Sequence, residues 1–169
     1  MAIVDALKVF RRLKDEGTVR DYLIFGSVAA MAHTRPFFTR DVDIGVAVES
    51  DAEFLAIFNR LAQFGDVEGH SVVVHGTPVE VFPVEISPII QDALAHARRK
   101  LVEGMMVKVA SPEHLLLEAL RVYRGQDKAR VLLLDDVVDR KRLRLLFGRL
   151  DHDDRVLKRR YQTLTGKAP

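Results

Sequence analysis

The chain has no cysteine. That absence excludes thiol nucleophiles, disulfides and cysteine-ligated zinc, and with them a secreted fold stapled by disulfides. No uninterrupted apolar run approaches membrane-spanning length. The N-terminus, Met-Ala-Ile-Val-Asp-Ala-Leu-Lys, lacks the apolar core and small-residue cleavage site of a signal peptide. The expected location is therefore cytoplasmic, with no membrane partner. No internal repeat or low-complexity linker breaks the chain. Its six histidines, His33, His70, His75, His96, His114 and His152, show no metal-ligand spacing. His33, just past a Gly-Ser turn, is the strongest catalytic candidate among them.

What is present fits one soluble globular domain. A chain of 169 residues, 48% hydrophobic and 30% charged, can bury a core without a staple. The net charge of +2 hides an asymmetry. Residues 1–120 hold 12 Lys+Arg against 17 Asp+Glu, whereas residues 121–169 hold 14 against 7. A basic C-terminal region beside an acidic site suits a polyanionic substrate. In the bland reading the Arg140–Arg144 and Lys158–Arg160 runs are solvated helix faces.

The pattern predicts an amphipathic helix over 3–15, a strand over 21–25, a small-residue helix over 27–33 and a loop over 34–40 containing Pro36. A second strand follows over 41–48. Ser50 and Glu53 fit a capping box for the next helix. Strands over 72–74 and 79–83 flank a hairpin turn at Gly76-Thr77-Pro78. A helix over 88–100 and a strand over 105–110 come next. Ser111-Pro112-Glu113 then opens a helix, with a side-chain cap, a first-turn proline and an acid at the positive dipole end. One or two more helices fill 127–149 and 151–163. The order α-β-α-β-α-β-β-α-β-α-α describes an α/β (α+β) fold, a mixed β-sheet flanked by helices with a C-terminal helical region.

One constellation carries chemistry. Phe25-Gly26-Ser27 ends a strand and starts a helix. Asp41-Val42-Asp43 follows in a second strand, and residues two apart in a strand share a face. Glu80 sits in a later strand. Two or three carboxylates aimed at one point repel unless a cation sits between them. Mg²⁺ accepts carboxylate oxygens together with water and phosphate oxygens. Gly26 allows close backbone approach to phosphates, and Ser27 stands at a helix N-terminus.

In these residues the sequence resembles the nucleotidyltransferase superfamily related to DNA polymerase β. It is most similar there to bacterial AbiEii-type transferases, the toxins of type IV toxin–antitoxin systems, and their relatives. The Thr39-Arg40-Asp41-Val42-Asp43 and Ser111-Pro112-Glu113 segments also carry this likeness, which spans roughly residues 20–145. The resemblance implies a nucleotidyltransferase fold and transfer of a nucleoside monophosphate from an NTP to a hydroxyl. It implies a two-metal Mg²⁺ site (Mn²⁺ as the alternative ion) held by Asp41, Asp43 and Glu80. Gly26, Ser27, Arg40, Arg35 and Lys128 are the nucleotide-binding candidates. Residues 1–125 would form the catalytic core, and 126–169 a basic helical extension packed on the same domain. The acceptor would be a tRNA or other RNA end, or a protein, with an antitoxin protein as partner. The competing readings are a small-molecule transferase of the antibiotic-modifying type and a non-catalytic nucleotide-binding module.

Overall fold

The computed structural model describes residues 2–35, 39–151 and 155–169. Eight α-helices and seven strands are assigned among them: α1 (Ala2–Asp15), β1 (Tyr22–Ile24), α2 (Gly26–Met31), β2 (Val42–Val46), α3 (Asp51–Leu61), β3 (Asp66–Glu68), β4 (Ser71–Val74), β5 (Thr77–Pro83), α4 (Pro88–Ala95), β6 (Arg98–Val102), β7 (Met105–Val109), α5 (Pro112–Val122), α6 (Gly125–Asp135), α7 (Arg140–Leu150) and α8 (Val156–Thr165). The strands form one mixed sheet in the order β3-β4-β5-β2-β1-β7-β6. β2 pairs parallel with β5 and β1 parallel with β7, while β1 and β2 run antiparallel. No described helix is long and apolar enough to cross a membrane.

The central strands are apolar because both faces are covered. Leu23, Ile24, Val42, Ile44 and Val46 are fully buried. α1 and α3 contact β5, and α2 contacts β2 and α5. α5 is the hub of the helical side, touching α2, α4, α6, α7 and α8. Glu113 through Leu120 are all buried there, so this helix has no solvent face to spare. Its cap is as expected: the Ser111 side chain accepts from the His114 N–H, with Pro112 in the first turn.

Several boundaries differ from the sequence expectation. The β4–β5 turn is His75-Gly76, both at positive φ (48° and 81°), the backbone of a tight two-residue hairpin. Thr77 and Pro78 already belong to β5, where Pro78 faces Val73. The helix expected to 100 stops at Ala95, and residues 98–102 pair antiparallel with β7 as an edge strand. β3, exposed throughout, carries no alternation to announce it and exists through pairing with β4. The C-terminal region holds three helices. Asp139 caps α7 by accepting from the Arg142 N–H, which splits the expected run. Within the expected 34–40 loop, Pro36, Phe37 and Phe38 lie outside the described residues, as does His152.

Candidate active site

The site forms where β1 turns into α2 and β2 lies between β1 and β5. The Phe25 N–H donates to the Asp43 carbonyl at 2.8 Å, locking the turn to β2. Gly26 then takes φ +57°. A Cβ there would meet Asp43 Oδ2 at 1.6 Å. Only glycine fits, because the Asp43 carboxylate occupies the place of a side chain.

The parallel β2–β5 register sets Asp43 directly beside Glu80. Asp41 stands one residue before β2, and its Oδ1 accepts from the Thr39 hydroxyl at 2.8 Å. Glu80 Oε1 contacts His70 Nε2 at 3.2 Å. Asp43 records the crowding. Burial, and then the charges of Asp41 and Glu80, push its carboxyl up to about 6. Arg130 and the Ser27 N–H, which donates to it, pull in the opposite direction without offsetting the rise.

A cleft of about 660 Å³ opens over this cluster, lined by Ser27, Thr39, Arg40, Asp41, Asp43, Arg124, Gln126 and Arg130 among others. A smaller side pocket of about 230 Å³ shares Asp43, Arg124 and Arg130 with it. Its remaining wall is largely apolar, with Phe25, Phe82, Ile86 and Ile90. The cationic wall is built by one acid. Asp127, 1% exposed, accepts from the Arg124 N–H and Nε and from Arg130 Nη1. Arg130 Nη2 in turn donates to Ser27 Oγ at 2.9 Å.

The sequence candidates are distributed as follows. Asp41, Asp43, Ser27 and Arg40 line the cleft, and Gly26 lines the side pocket. Glu80 is adjacent on β5 and acts on Asp43 through its charge, but it is not among the residues lining the cleft. Ser27 is already engaged: its N–H serves Asp43 and its hydroxyl accepts from Arg130. Lys128 lies over the Tyr123 ring at 4.5 Å and does not line the cleft. Arg35 is exposed and is likewise absent from the lining. His33 Nε2 bonds the Ala110 carbonyl at 2.8 Å, a structural role. The residue the sequence reading missed is Arg130. Its signal was the Arg124-x-x-Asp127-x-x-Arg130 spacing, which places an acid within one helical turn of each arginine.

The carboxylate set fits a hard divalent cation. Asp41, Asp43 and Glu80 offer only oxygen donors, the type such an ion takes, and burial together with the charges of Asp41 and Glu80 raises the Asp43 carboxyl.

No family model matches the chain, and no curated protein matches it by sequence. Solved structures do resemble it. An antigenic nucleotidyltransferase-like protein from Paracoccidioides brasiliensis aligns over 94% of this chain and 94% of its own, with a TM-score of 0.55 and 15% identity. The antibiotic-resistance factor ANT(2'')-Ia aligns over 96% of this chain and 100% of its own, with a TM-score of 0.59 and 14% identity. The chain has the nucleotidyltransferase fold. In this chain the β2–β5 pair brings Asp43 and Glu80 beside the β1–α2 turn, and Arg124, which precedes α6, and Arg130, within it, line the cleft with Asp43.

Proposed function

We propose that the cleft transfers a nucleoside monophosphate from an NTP to an acceptor hydroxyl. The observation that carries this reading is Asp43: a carboxylate pushed up to about 6 by burial and then by the charges of two further acids, facing an arginine-lined cleft. Mg²⁺, with Mn²⁺ as alternative, would be held by Asp41, Asp43 and Glu80. When bound it supplies Lewis-acid stabilisation of the transferring phosphoryl oxygens and aligns attacking and leaving groups.

The chain's own residues do the rest. Arg124, Arg130 and Arg40 bind the triphosphate and stabilise the charge of departing pyrophosphate. Ser27 orients Arg130. The Phe25–Phe82 side pocket takes the apolar face of the base. Glu80 receives the proton of the acceptor hydroxyl as its oxygen bonds to the α-phosphorus and the bond to pyrophosphate breaks. Residues 1–125 supply the acidic part of the catalytic core, and the basic helical extension 126–169, packed on the same domain, completes the cleft with Arg130. The acceptor is an RNA end or a protein hydroxyl. The toxin role and antitoxin partner follow from the family resemblance, and the cytoplasmic location is the expectation of the sequence analysis. The fold's likeness to ANT(2'')-Ia supports a second reading, in which the acceptor is a small molecule.

The test is label transfer. Each α-labelled NTP is offered with Mg²⁺ to the protein alone, with total tRNA, and with lysate, beside Asp43→Asn. Label should enter RNA or protein with the wild type, and Asp43→Asn should reduce the rate by at least about 10³-fold. An RNA acceptor should lose affinity steeply as salt rises, and a small neutral acceptor should not. Equal nucleotide binding by wild type and variant, with no label transferred to any acceptor, would leave a non-catalytic module instead.

A further inference from the structure

A second cluster lies at the other end of α4 and α5, away from the acidic cleft. Asp92, in the second turn of α4, and His96, the residue that ends the helix, are four apart and on one side of it. His114 in the first turn of α5 packs against them. One ligand atom from each of the three lies within 4.8 Å of the others. They line a groove of about 820 Å³ that is open to solvent. We propose that Asp92, His96 and His114 form a binding site for a first-row transition-metal ion of the zinc class.

The donor set argues the ion type. Two imidazoles and one carboxylate favour borderline metals such as Zn²⁺, Co²⁺ and Ni²⁺ over Mg²⁺, which seeks oxygen. His114 is 1% exposed. Its Nδ1 lies 2.8 Å from Ser111 Oγ, which fixes the ring, and a metal at Nε2 would replace the proton that Nε2 shares with Asp92. His96 Nδ1 donates to the Asp92 carbonyl at 2.9 Å and lies 3.5 Å from Asp92 Oδ1. The two rings stack at 6.3 Å with 18° between planes.

Arg149 is the obstacle to consider. Its Nη2 lies 2.5 Å from Asp92 Oδ2, which also accepts from His114 Nε2 at 2.7 Å. Asp92 Oδ1 makes no hydrogen bond among the described residues and remains for a metal. Arg149 is half exposed on the last turn of α7, so it can keep its bond to Oδ2 while Oδ1 meets the ion, or swing into solvent. Arg98, Arg142 and Arg144 line the same groove and lower its cation affinity. Removal of positive charge here should therefore tighten metal binding, whereas a purely structural network would gain nothing from it.

The experiment uses untagged, full-length protein titrated with Zn²⁺ and with Co²⁺, in the wild type and in an Asp43→Asn background that disables the acidic cleft. In the Asp43→Asn background Zn²⁺ should bind with one-to-one stoichiometry and raise the melting temperature, and the wild type should show the same site beside any ion taken by the acidic cleft. Co²⁺ should show intensified visible d–d bands with no thiolate charge transfer, since the chain has no cysteine. His96→Gln, at a half-exposed position, should keep the fold and weaken binding at least about tenfold. Arg149→Ala should tighten it severalfold. Zn²⁺ binding that is unchanged by His96→Gln, or lost in Asp43→Asn alone, would overturn the site. So would no binding at all. None of these outcomes depends on whether the acidic cleft transfers nucleotides.

Discussion

At the scale of single residues, Asp43 carries a stability cost that follows from its chemistry. Its carboxyl sits at about 6 in the folded chain against an ordinary 3.8. A carboxyl raised on folding favours the folded state when protonated, so its contribution is greatest below pH 4 and falls away as pH rises from about 4 to about 6. At pH 7 the ionised form costs up to about 3 kcal/mol, taking 1.4 kcal/mol per pH unit. Asp43→Asn should therefore raise the metal-free melting temperature at pH 7 and leave it nearly unchanged at pH 4. Added Mg²⁺ should stabilise the wild type at pH 7 and do little for the variant. Thermal unfolding at the two pH values, with and without Mg²⁺, reads both effects. A variant less stable than the wild type at pH 7 would mean that the repulsion among Asp41, Asp43 and Glu80 is already relieved by the protein. The three acids were legible in the sequence because strand periodicity and the Gly-Ser turn announce them. Their shared electrostatics was not, since it depends on a β2–β5 register that no local pattern specifies.

At the scale of elements, the arginine wall depends on how α5 gives way to α6. α5 ends with Tyr123 in the left-handed region at φ 61°, and α6 restarts at Gly125. Asp127 then both caps α6, through the Arg124 N–H, and aims Arg124 and Arg130 into the cleft. Asp127→Asn keeps the shape of the cap but removes the charge that holds two guanidiniums. It should cost about 1–3 kcal/mol of stability and weaken NTP binding severalfold. The measurements are chemical denaturation and nucleotide titration on the same sample. Unchanged NTP affinity would show that the arginines find the triphosphate without this anchor. Elements with strong local signals, such as the Ser50 and Ser111 caps, were readable in the sequence. β3 and β6 were not: both are edge strands, and β6 in particular reads Arg-Arg-Lys-Leu-Val, a segment made extended by pairing with β7. The metal-type cluster was hidden for the same reason. His96 and His114 are eighteen positions apart, and only α4–α5 packing brings them together.

At the scale of the whole molecule, the basic C-terminal region is tied to the core by polar as well as apolar contacts. Tyr161 and Phe147 are fully buried, with ring centroids 5.6 Å apart. Asp135 accepts from Arg140, Tyr161 and Lys167, and these bonds hold its carboxyl well below the usual range. Arg140, one of the runs expected to face solvent, is spent on this internal network, whereas Arg142 and Arg144 line the groove beside α4. Leu115, Leu116, Leu117 and Leu120 of α5 are all buried at 0–1%, in a helix that α6, α7 and α8 cover. Removing residues 126–169 would uncover much of that apolar surface, at roughly 25 cal/mol per Å² exposed, and would delete Arg130 and Asp127 from the cleft. Truncation after 125 should therefore yield a chain that lacks a cooperative unfolding transition, exposes hydrophobic surface to a reporter dye and binds no NTP. Calorimetry and dye binding on the truncated chain check this. A sharp transition with retained NTP binding would show that 1–125 stands alone as a catalytic domain and that the helical extension is an accessory carried on its surface.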